Sequence, residues 1–310
     1  MTNPNMPPDM PSASAPPDDA GLPCVLVFNA NDPSGAAGLS ADILSVASVG
    51  GHALPVSTGA YVRDTTRIFD FFALEEEAVT EQARAILEDA PAQVIKVGFA
   101  GSPENVSAIA ELAADYAEIP LVTCMPDLSW WEESRIDSYQ DAVRELLLPQ
   151  TTVLVGNHNT LCRWLAPDWH ADKPPSARDI ARAAAEVGVP YVLITGIGLP
   201  GQFLDNVLAT PQTVMCSERF ERFDANFVGA GDTLAAALAA LIGAGSDLKD
   251  AAKEALSYLD RCLDAGFRPG MGAVLPDRLF WAQPEDDDSE DDVETTQPNL
   301  SEPPFNETRH

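Results

Sequence analysis

Residues 226–234 read NFVGAGDTL, and the small, mostly apolar residues 235–243 continue the segment without a helix breaker. We therefore predict that a helix opens at this glycine pair. The start of a helix exposes backbone N–H groups that lack intrahelical partners, and it carries the positive end of the helix dipole. Gly229 and Gly231 have no Cβ atom to block the close approach of an anion to these groups. The segment predicts a binding site for a phosphate group.

Asp232 follows the second glycine at once, which places its carboxylate beside whatever anion the helix start binds. A carboxylate next to a phosphoryl group can take the proton from an attacking hydroxyl. Asp is also favoured at helix N-termini for purely structural reasons, and G-x-G-D is short enough to occur by chance. Both interpretations stay open on this segment alone.

A second glycine-containing loop follows the first apolar run, where residues 29–42 read NANDPSGAAGLSAD. Asp32 and Ser34 offer polar groups, and Gly35 and Gly38 allow the backbone to approach a ligand. An ordinary Asp-Pro turn before a helix is the structural alternative.

Short apolar runs alternate with amphipathic stretches along the chain, which predicts repeated β-α units. Such units form a mostly parallel sheet covered by helices on both faces. The predicted strands are residues 24–30, 52–62, 94–100, 121–125, 152–156 and 191–195, with a hairpin at 203–209 and 213–222. The predicted helices are residues 40–49, 74–90, 103–117, 138–148, 176–187, the helix that opens at Gly229, and 246–265. Ligands of such folds bind beyond the carboxyl ends of the strands, where both glycine loops would lie.

Both ends of the chain have compositions that do not support folding. Residues 1–20 hold six prolines and three aspartates, and residues 284–310 hold ten acids against one arginine. Such segments cannot bury enough apolar surface to offset the entropy lost on ordering. We therefore predict disorder over 1–20 and 284–310, and one folded domain over 21–283.

Charge and cysteine content exclude several classes of function. The 18 Lys and Arg residues against 48 acids give a net charge of −30, which cannot supply the basic surface that nucleic acid or an anionic membrane requires. The five cysteines show no metal-ligand spacing and indicate reduced thiols. The sequence also shows no apolar run of membrane-spanning length and no signal-peptide pattern. We expect a cytoplasmic protein with small-molecule partners.

Several motifs in one order resemble a known family. Residues 31–38, NDPSGAAG, are similar to the (T/H)DPSGGAG signature of the bacterial hydroxymethylpyrimidine/phosphomethylpyrimidine kinases, members of the ribokinase-like superfamily. Residues 226–240 resemble the Gly-rich anion-hole helix of the same family. Further matches, in the family's order, are VRDT at 62–65, KVGF at 96–99, ITG at 194–196 and PGMG at 269–272. The resemblance covers roughly residues 23–276.

The resemblance implies a three-layer α/β/α fold and transfer of the γ-phosphoryl group of ATP, with Mg2+, to a hydroxymethyl group. It implies that Asp232 is the general base and that the anion hole consists of the N–H groups of Gly229, Ala230 and Gly231. The residues implied for the alcohol pocket are Asp32, Gly35, Arg63 and Gly98. Those implied for the nucleotide are Asn157, Thr195, Gly196 and Gly231. A homodimer is a further possibility that the family suggests.

Besides the replacement of the family's G-G-H after Thr195 by GIG at 196–198, four positions depart from the family's pattern. The pyrimidine kinases usually carry cysteine where this chain has Asp232, which sugar kinases of the superfamily share; a carboxylate is a competent base. Arg63 replaces the pyrimidine-reading glutamine, and a guanidinium only donates, which favours ligands with acceptors or negative charge on that edge. Met125 and Thr160 replace acids, the second normally linked to the magnesium shell. We therefore expect weaker metal-assisted turnover unless Asp127 substitutes for the first.

Other conspicuous side chains have structural interpretations. The tryptophans at 130–131 could stack on a ring but are expected to pack within the protein. Lys96 is expected to extend from a buried strand to the surface, with a pocket cation as the alternative. Asp42 is expected on a solvated helix face. For Arg63, a surface ion pair with Asp64 is as good an interpretation as ligand binding.

Three functions remain open at this point. The first is an ATP-dependent kinase for a (phospho)hydroxymethylpyrimidine or a related heteroaromatic alcohol, with Asp232 as base. The second is a catalytically weak ligand-binding or regulatory relative, which the losses at Met125 and Thr160 favour. The third is a pyridoxal or sugar kinase, which Asp232 permits and the DPSG loop at 32–35 disfavours.

Overall fold

A computed structural model of the protein describes residues 21–282 apart from Asp172. Its strands are β1 (Cys24–Asn31), β2 (His52–Arg63), β3 (Ile68–Ala73), β4 (Val94–Val97), β5 (Leu121–Cys124), β6 (Val153–Asn157), β7 (Tyr191–Gly198), β8 (Phe203–Ala209) and β9 (Val214–Glu221). They form one sheet in the order β3-β2-β1-β4-β5-β6-β7-β8-β9.

The six strands from β2 to β7 in that order run parallel, and antiparallel strands close both edges. β3 pairs antiparallel with β2, while β8 and β9 form an antiparallel hairpin next to β7. The predictions of a mostly parallel sheet and of the hairpin are confirmed. Because parallel strands all end at the same edge, the loops after β1, β4, β5, β6 and β7 meet there.

Eight α-helices connect and cover the strands in the described part of the chain. They are α1 (Gly38–Ser48), α2 (Glu76–Leu87), α3 (Pro103–Asp115), α4 (Glu133–Ala142), α5 (His158–Leu165), α6 (Ala177–Glu186), α7 (Ala230–Gly243) and α8 (Leu248–Asp264). α4 continues into a π-helical turn, Val143–Leu147, and a 3-10 turn, Leu148–Gln150. A second 3-10 turn spans Phe280–Ala282. No helix among these combines the length and apolarity needed to cross a bilayer.

Helices lie on both faces of the sheet and give three layers. On one face, α2 to α6 pack over a core that includes Phe28, Ile109 and Leu154. On the other face, α1, α7 and α8 pack over a second core that includes Val27, Val122 and Leu238. Neighbouring residues of one strand therefore enter different cores, as the pleat requires. The predicted three-layer α/β/α fold is confirmed.

α7 is the most deeply buried helix of the second face. Its side chains from Leu234 to Ala240 are at most 1% exposed. Small alanine side chains let the helix lie close to the sheet, and α1 and α8 then cover its flanks. This packing holds the helix start rigidly at the carboxyl edge of the sheet.

The predicted boundaries differ from the structure at several elements. Strand β3 and helix α5 were not predicted, and α4 begins at Glu133 rather than at residue 138. A capping box starts α6, with Ser176 and Asp179 bonded reciprocally.

The chain divides into a unit that ends at Phe280 and a C-terminal unit that begins at Trp281, of which the structure describes Trp281 and Ala282. The segments predicted to be disordered, 1–20 and 284–310, lie outside the described residues. The domain boundaries at 21 and 283 remain a prediction.

Candidate active site

Gly229 caps α7 in the left-handed backbone conformation, with φ of +87°. A Cβ atom here would overlap the carbonyl oxygen of Ala36 and lie 2.7 Å from Nη2 of Arg278. The position therefore requires glycine for its backbone angle and for its space. In consequence the start of α7 packs directly on the loop that follows β1.

Thr233 closes the first turn of α7. Its amide N–H and its hydroxyl both donate to the carbonyl of Gly229, at 2.9 and 2.8 Å. The N–H groups before it have no intrahelical acceptor because they belong to the first turn. Gly231 is exposed and Ala230 is half-buried, so an anion can reach this turn. The arrangement suits the predicted anion hole.

Asp32 organises the loop after β1 and is buried. Its Oδ1 accepts from the amide and hydroxyl of Ser34 at 2.8 and 2.6 Å, and its Oδ2 accepts from the amide of Ala37 at 3.0 Å. Gly35 continues the turn at φ of +70°, and its amide donates to the carbonyl of Asp32. The carboxylate thus shapes the loop, and its contact with a substrate remains a prediction.

Arg278 joins the two glycine loops from a buried position. Its Nη1 donates to the carbonyl of Gly35 at 3.3 Å, and its Nη2 donates to the carbonyl of Ala36. Its Nε donates to the hydroxyl of Thr233 at 2.9 Å. Burial lowers the pKa of the guanidinium from its ordinary value, and the charge of Asp232 opposes that effect. Sequence reasoning did not identify this residue.

A buried ammonium group joins the two acids at the centre of the site. Nζ of Lys96, on β4, lies 2.8 Å from Oδ1 of Asp232 and 2.7 Å from Oδ1 of Asp42. The side chains of Lys96 and Asp42 are fully buried, whereas that of Asp232 is 18% exposed. The expectations that Lys96 reaches the surface and that Asp42 is solvated are therefore wrong. α1 packs against α7 and β1, which encloses Asp42 in this cluster.

Asn29 completes the cluster from the end of β1. Its Nδ2 donates to Asp42 Oδ2 at 2.8 Å and to Asp232 Oδ1 at 3.0 Å, while its Oδ1 accepts from the amides of Ala30 and Phe99. Gly98 makes room for this amide, because a Cβ there would lie 2.6 Å from the Cγ atom of Asn29. The predicted pocket residue Gly98 therefore makes room for the amide that binds Asp232.

The cluster sets the protonation of its members. Burial disfavours the charged form of Asp232, but the charge and hydrogen bond of Lys96 and the amide of Gly38, 2.9 Å from Oδ2, hold its pKa below the usual value. Burial raises the pKa of Asp42 to about 7 against the opposing charge of Lys96. Burial also disfavours charge on Lys96, yet the two carboxylates raise its pKa. One ammonium thus serves two acids, and Asp42 is the acid that protonates first.

Arg63 lies beside Asp32, with Nη1 3.3 Å from its Oδ2 and with a side chain that is 6% exposed. Its Nε donates to the carbonyl oxygen of Asp64 at 3.1 Å. The expectation of a surface ion pair with the Asp64 carboxylate is wrong, since the partner is the buried Asp32. The structure brings two predicted pocket residues together, and their contact with substrate remains a prediction.

Aromatic rings pack next to this pair. Phe99 follows Gly98, and its ring centroid lies 5.7 Å from that of Tyr61 and 5.2 Å from that of Trp131. The two tryptophans at 130–131 stack on each other at 5.5 Å. Burial raises the pKa of the Tyr61 phenol, and the negative charges of Asp232 and Asp32 raise it further. The expected packing role of the tryptophan pair is confirmed.

Three of the four residues predicted for the nucleotide meet at the ends of β6 and β7, and the fourth, Gly231, lies in the first turn of α7. Asn157 pairs in register with Thr195, and the next residue, Gly196, adopts φ of +73°. A Cβ on Gly196 would lie 2.8 Å from Nδ2 of Asn157. The amide of Gly196 donates to Oδ1 of Asn206 at 3.1 Å. The three predicted residues form one corner of the edge, and their binding of nucleotide stays a prediction.

The positions that depart from the family's pattern provide few ligands for a metal ion. Met125 and Thr160 are buried, and Asp127 faces Arg163 at 4.0 Å with a side chain that is 61% exposed. Oδ1 of Asp127 also accepts from the amide of Ser129 at 3.0 Å. Within residues 21–282 without Asp172, no group of three His, Cys, Asp or Glu side chains is placed to hold a metal. A magnesium cage built from side chains does not fit this donor set.

Sequence signals could have found one of the missed residues. Asp42 shares a helix face with Ser45 and Val46, both buried, so a helical periodicity drawn from Gly38 places it toward the core. Asn29 interrupts an apolar strand, which is a weaker signal. For Arg278 the local sequence carries no such indication.

A three-layer α/β/α fold with a glycine-capped helix, and an acid in the first turn of that helix beyond the carboxyl ends of parallel strands, is typical of an ATP-dependent kinase of the ribokinase-like class. The chain belongs to the phosphomethylpyrimidine kinase family, whose sequence model matches residues 32–277.

Relatives of known name support the assignment over most of the chain. The chain is 29% identical over 271 residues to the hydroxymethylpyrimidine/phosphomethylpyrimidine kinase of Streptomyces coelicolor, covering 87% of this chain and 98% of the relative. It is 28% identical over 271 residues to the Escherichia coli K12 enzyme of the same name, covering 83% and 98%.

Solved structures show the same fold. The pyridoxal kinase from Staphylococcus aureus, in complex with AMP-PCP and pyridoxal, superposes with a TM-score of 0.72 at 20% identity, covering 83% of this chain and 94% of that one. Phosphomethylpyrimidine kinase from Clostridium difficile 630 gives 0.62 at 21% identity, with coverage of 77% and 98%.

Gly229→Ala tests the close packing of the two glycine loops. Gly245 is the matched control, because it has the same φ of +87° but open space where a Cβ would lie. Both variants should lose roughly 1–2 kcal/mol of unfolding free energy from backbone strain. Only Gly229→Ala should also lose about a hundredfold in ATP turnover, because it displaces the reacting groups. Urea unfolding and turnover measure the two effects, and equal turnover losses in both variants would contradict the assignment.

Arg278→Gln tests the bridge between the loops. The variant removes charged hydrogen bonds to buried carbonyl groups and should lose about 3 kcal/mol of unfolding free energy. Arg182→Gln is the control, since that side chain is 57% exposed and pairs with Asp179 on the surface; it should change stability by less than about 0.5 kcal/mol. Equal denaturation midpoints for the two variants would rule out the bridging role.

Proposed function

We propose that the chain transfers the γ-phosphoryl group of ATP to the hydroxymethyl group of hydroxymethylpyrimidine, its monophosphate, or both, with Asp232 as general base. The observation that carries this proposal is the position of Asp232. Its carboxylate is ionised by Lys96, partly accessible, and one residue beyond the glycine pair at the start of α7. The names of the curated relatives support the substrate class.

Asp232 has an oxygen available to a substrate. Oδ1 is occupied by Lys96 and Asn29, whereas Oδ2 accepts one amide, that of Gly38. A carboxylate oxygen can accept a second hydrogen bond, so Oδ2 can receive one from the reacting hydroxyl. In a largely dissociative phosphoryl transfer, positioning and charge stabilisation supply much of the catalysis. Asp232 would both orient the hydroxyl and accept its proton, so its position and its basicity both contribute.

The first turn of α7 would hold the transferring phosphoryl group. The N–H groups of Gly229, Ala230 and Gly231, with the helix dipole, stabilise charge on its oxygens. Asn157, Thr195 and Gly196 would bind the rest of the nucleotide at the neighbouring strand ends. Mg2+ would enter with ATP and be held by phosphate oxygens and water, since the described side chains build no cage for it. When bound, it supplies charge neutralisation at the phosphates.

The charge and the cysteine state support a proposed cellular setting. All five cysteines are free thiols, which supports the cytoplasm as the compartment. The net charge of −30 supports small-molecule partners rather than nucleic acid or membrane surfaces. A homodimer could cover the edge strand β3, where Phe69 and Phe72 are 53% and 64% exposed.

ATP turnover by the purified protein with Mg2+ tests the proposal. The panel contains hydroxymethylpyrimidine, its monophosphate, pyridoxal and simple sugars. A pyrimidine alcohol should stimulate turnover, and Asp232→Asn should lower kcat about a hundredfold or more because the base is lost. Asp224→Asn, an exposed acid in the preceding loop, is the control and should retain activity. A melting-temperature shift by a pyrimidine without any turnover would support the ligand-binding relative instead.

Arg63→Gln tests the substrate edge of the pocket. A glutamine amide donates and accepts, whereas the guanidinium only donates. The variant should raise the ratio of kcat/KM for hydroxymethylpyrimidine over pyridoxal by about tenfold, the worth of one well-placed hydrogen bond. Arg67→Gln in the same turn, where the cation lies over Phe69, is the control. An unchanged ratio would show that Arg63 does not face the ring of the substrate.

A further inference from the structure

Asp42 is a buried acid that the proposed reaction does not use. It lies on α1, one hydrogen bond beyond Lys96, and is fully buried. Oδ1 meets Lys96 at 2.7 Å and Oδ2 meets Asn29 at 2.8 Å. Both partners also bind Oδ1 of Asp232, at 2.8 Å for Lys96 and 3.0 Å for Asn29. The two acids therefore share one cation and one amide donor.

We propose that Asp42 controls the base strength of Asp232 by competing with it for Lys96. When Asp42 is ionised, the ammonium is divided between two carboxylates, and Asp232 keeps more of its basicity. When Asp42 is protonated, Lys96 forms its ion pair with Asp232 alone, and this lowers the basicity of Asp232. Asp42 acts through Lys96 and is a positioning residue that never touches the substrate. This inference rests on the proposed role of Asp232.

The geometry makes the two acids unequal. Asp232 has an 18% exposed side chain and receives the amide of Gly38, whereas Asp42 is closed from solvent and receives no amide from the backbone in the hydrogen bonds described. A carboxylate with fewer donors and more burial takes up a proton more readily. Burial accordingly raises the pKa of Asp42 to about 7, while Asp232 stays below its usual range. The switch therefore operates near neutral pH.

Other groups around Asp42 hold their charge across this range. Lys96 on β4 stays protonated, because the two carboxylates raise its pKa. The thiol of Cys124 on β5 stays neutral, because burial raises its pKa to about 12. Arg278, which follows α8, contributes a constant positive charge.

Two phenols on neighbouring elements are neutral as well. Tyr258 on α8, which bonds the side chains of Ser45 and Ser48 on α1, and Tyr61 on β2 both have pKa values raised by burial. Among the groups named here, Asp42 is thus the one that changes charge near neutral pH.

The pH dependence of kcat for wild type and Asp42→Asn tests the proposal. For the wild type, kcat should fall as the pH drops through about 7. Asparagine resembles the protonated acid, so the variant should lack this limb and be about three- to tenfold slower at pH 8, with little change in KM. Ser45→Ala, a buried change on the same helix, should keep the limb. A limb that survives in Asp42→Asn at the same pH would overturn the proposal.

Stability supplies a readout that does not need activity. A carboxyl whose pKa is raised by folding binds more protons in the native than in the unfolded state, so its contribution to stability falls as the pH rises from about 4 to about 7. Urea unfolding should show this slope in the wild type and not in Asp42→Asn. Equal slopes would overturn the proposal.

If Asp42→Asn fails to fold, an infrared titration of the wild-type protein still tests the proposal. A band from a protonated, buried carboxyl should vanish with a midpoint near pH 7. The absence of such a band would overturn the inference. If wild type phosphorylates no alcohol at any pH, the proposed function fails and the inference falls with it. If Asp42→Asn turns over substrate and its kcat falls at low pH as in the wild type, the inference fails and the proposed function is unaffected.

Discussion

One buried ammonium group organises the catalytic edge of this protein. Lys96 stands on β4 near the middle of the sheet and contacts acids on α1 and α7. Removing one partner of such a buried group typically costs about 3–5 kcal/mol, so both helices are held where their carboxylates reach it. The glycines allow the start of α7 to approach the first loop, and the ion pairs determine its position there. The packing of the glycines and the ion pairs with Lys96 therefore both hold Asp232 in the same position.

The parts of the fold with local signals were predictable from the sequence. The β-α alternation and both glycine loops depend on neighbouring residues, and the structure confirms them. β3 was not predicted because it is an edge strand in which Phe71 alone is buried. Its residues therefore show no alternation of buried and exposed side chains. The charged cluster was not predicted because its members are far apart in sequence. Asn29 and Asp232, for example, are separated by 203 positions. A lone acid on a helix is normally solvated, and Asp42 is buried because it lies on the core-facing side of α1 and pairs with Lys96.

The acid at position 232 and the titration of Asp42 are physically linked. A thiol at 232, as the pyrimidine kinases usually carry, can remain neutral and leave Lys96 to Asp42 as a simple pair. Asp232 instead brings a permanent negative charge, and the cluster then holds two carboxylates for one ammonium. The excess charge is buried, so the less solvated acid takes up a proton as the pH falls. The carboxyl group at position 232 therefore creates a titrating neighbour, Asp42, that a cysteine at this position would not require.

The acidic surface raises the question of how the chain binds a polyanionic nucleotide. Interactions between exposed charges are largely screened beyond about 10 Å at ordinary salt, so the net charge of −30 acts weakly on a bound phosphate. Nearby groups decide instead: Arg63 faces the carboxylate of Asp32, and Lys96 offsets part of the negative charge of Asp232 and Asp42. Arg278 donates to the backbone carbonyls of Gly35 and Ala36, in the loop beside the start of α7, and so places a positive charge near that turn. That charge adds to the helix dipole, which makes this turn the favourable place for phosphate on an otherwise repulsive protein.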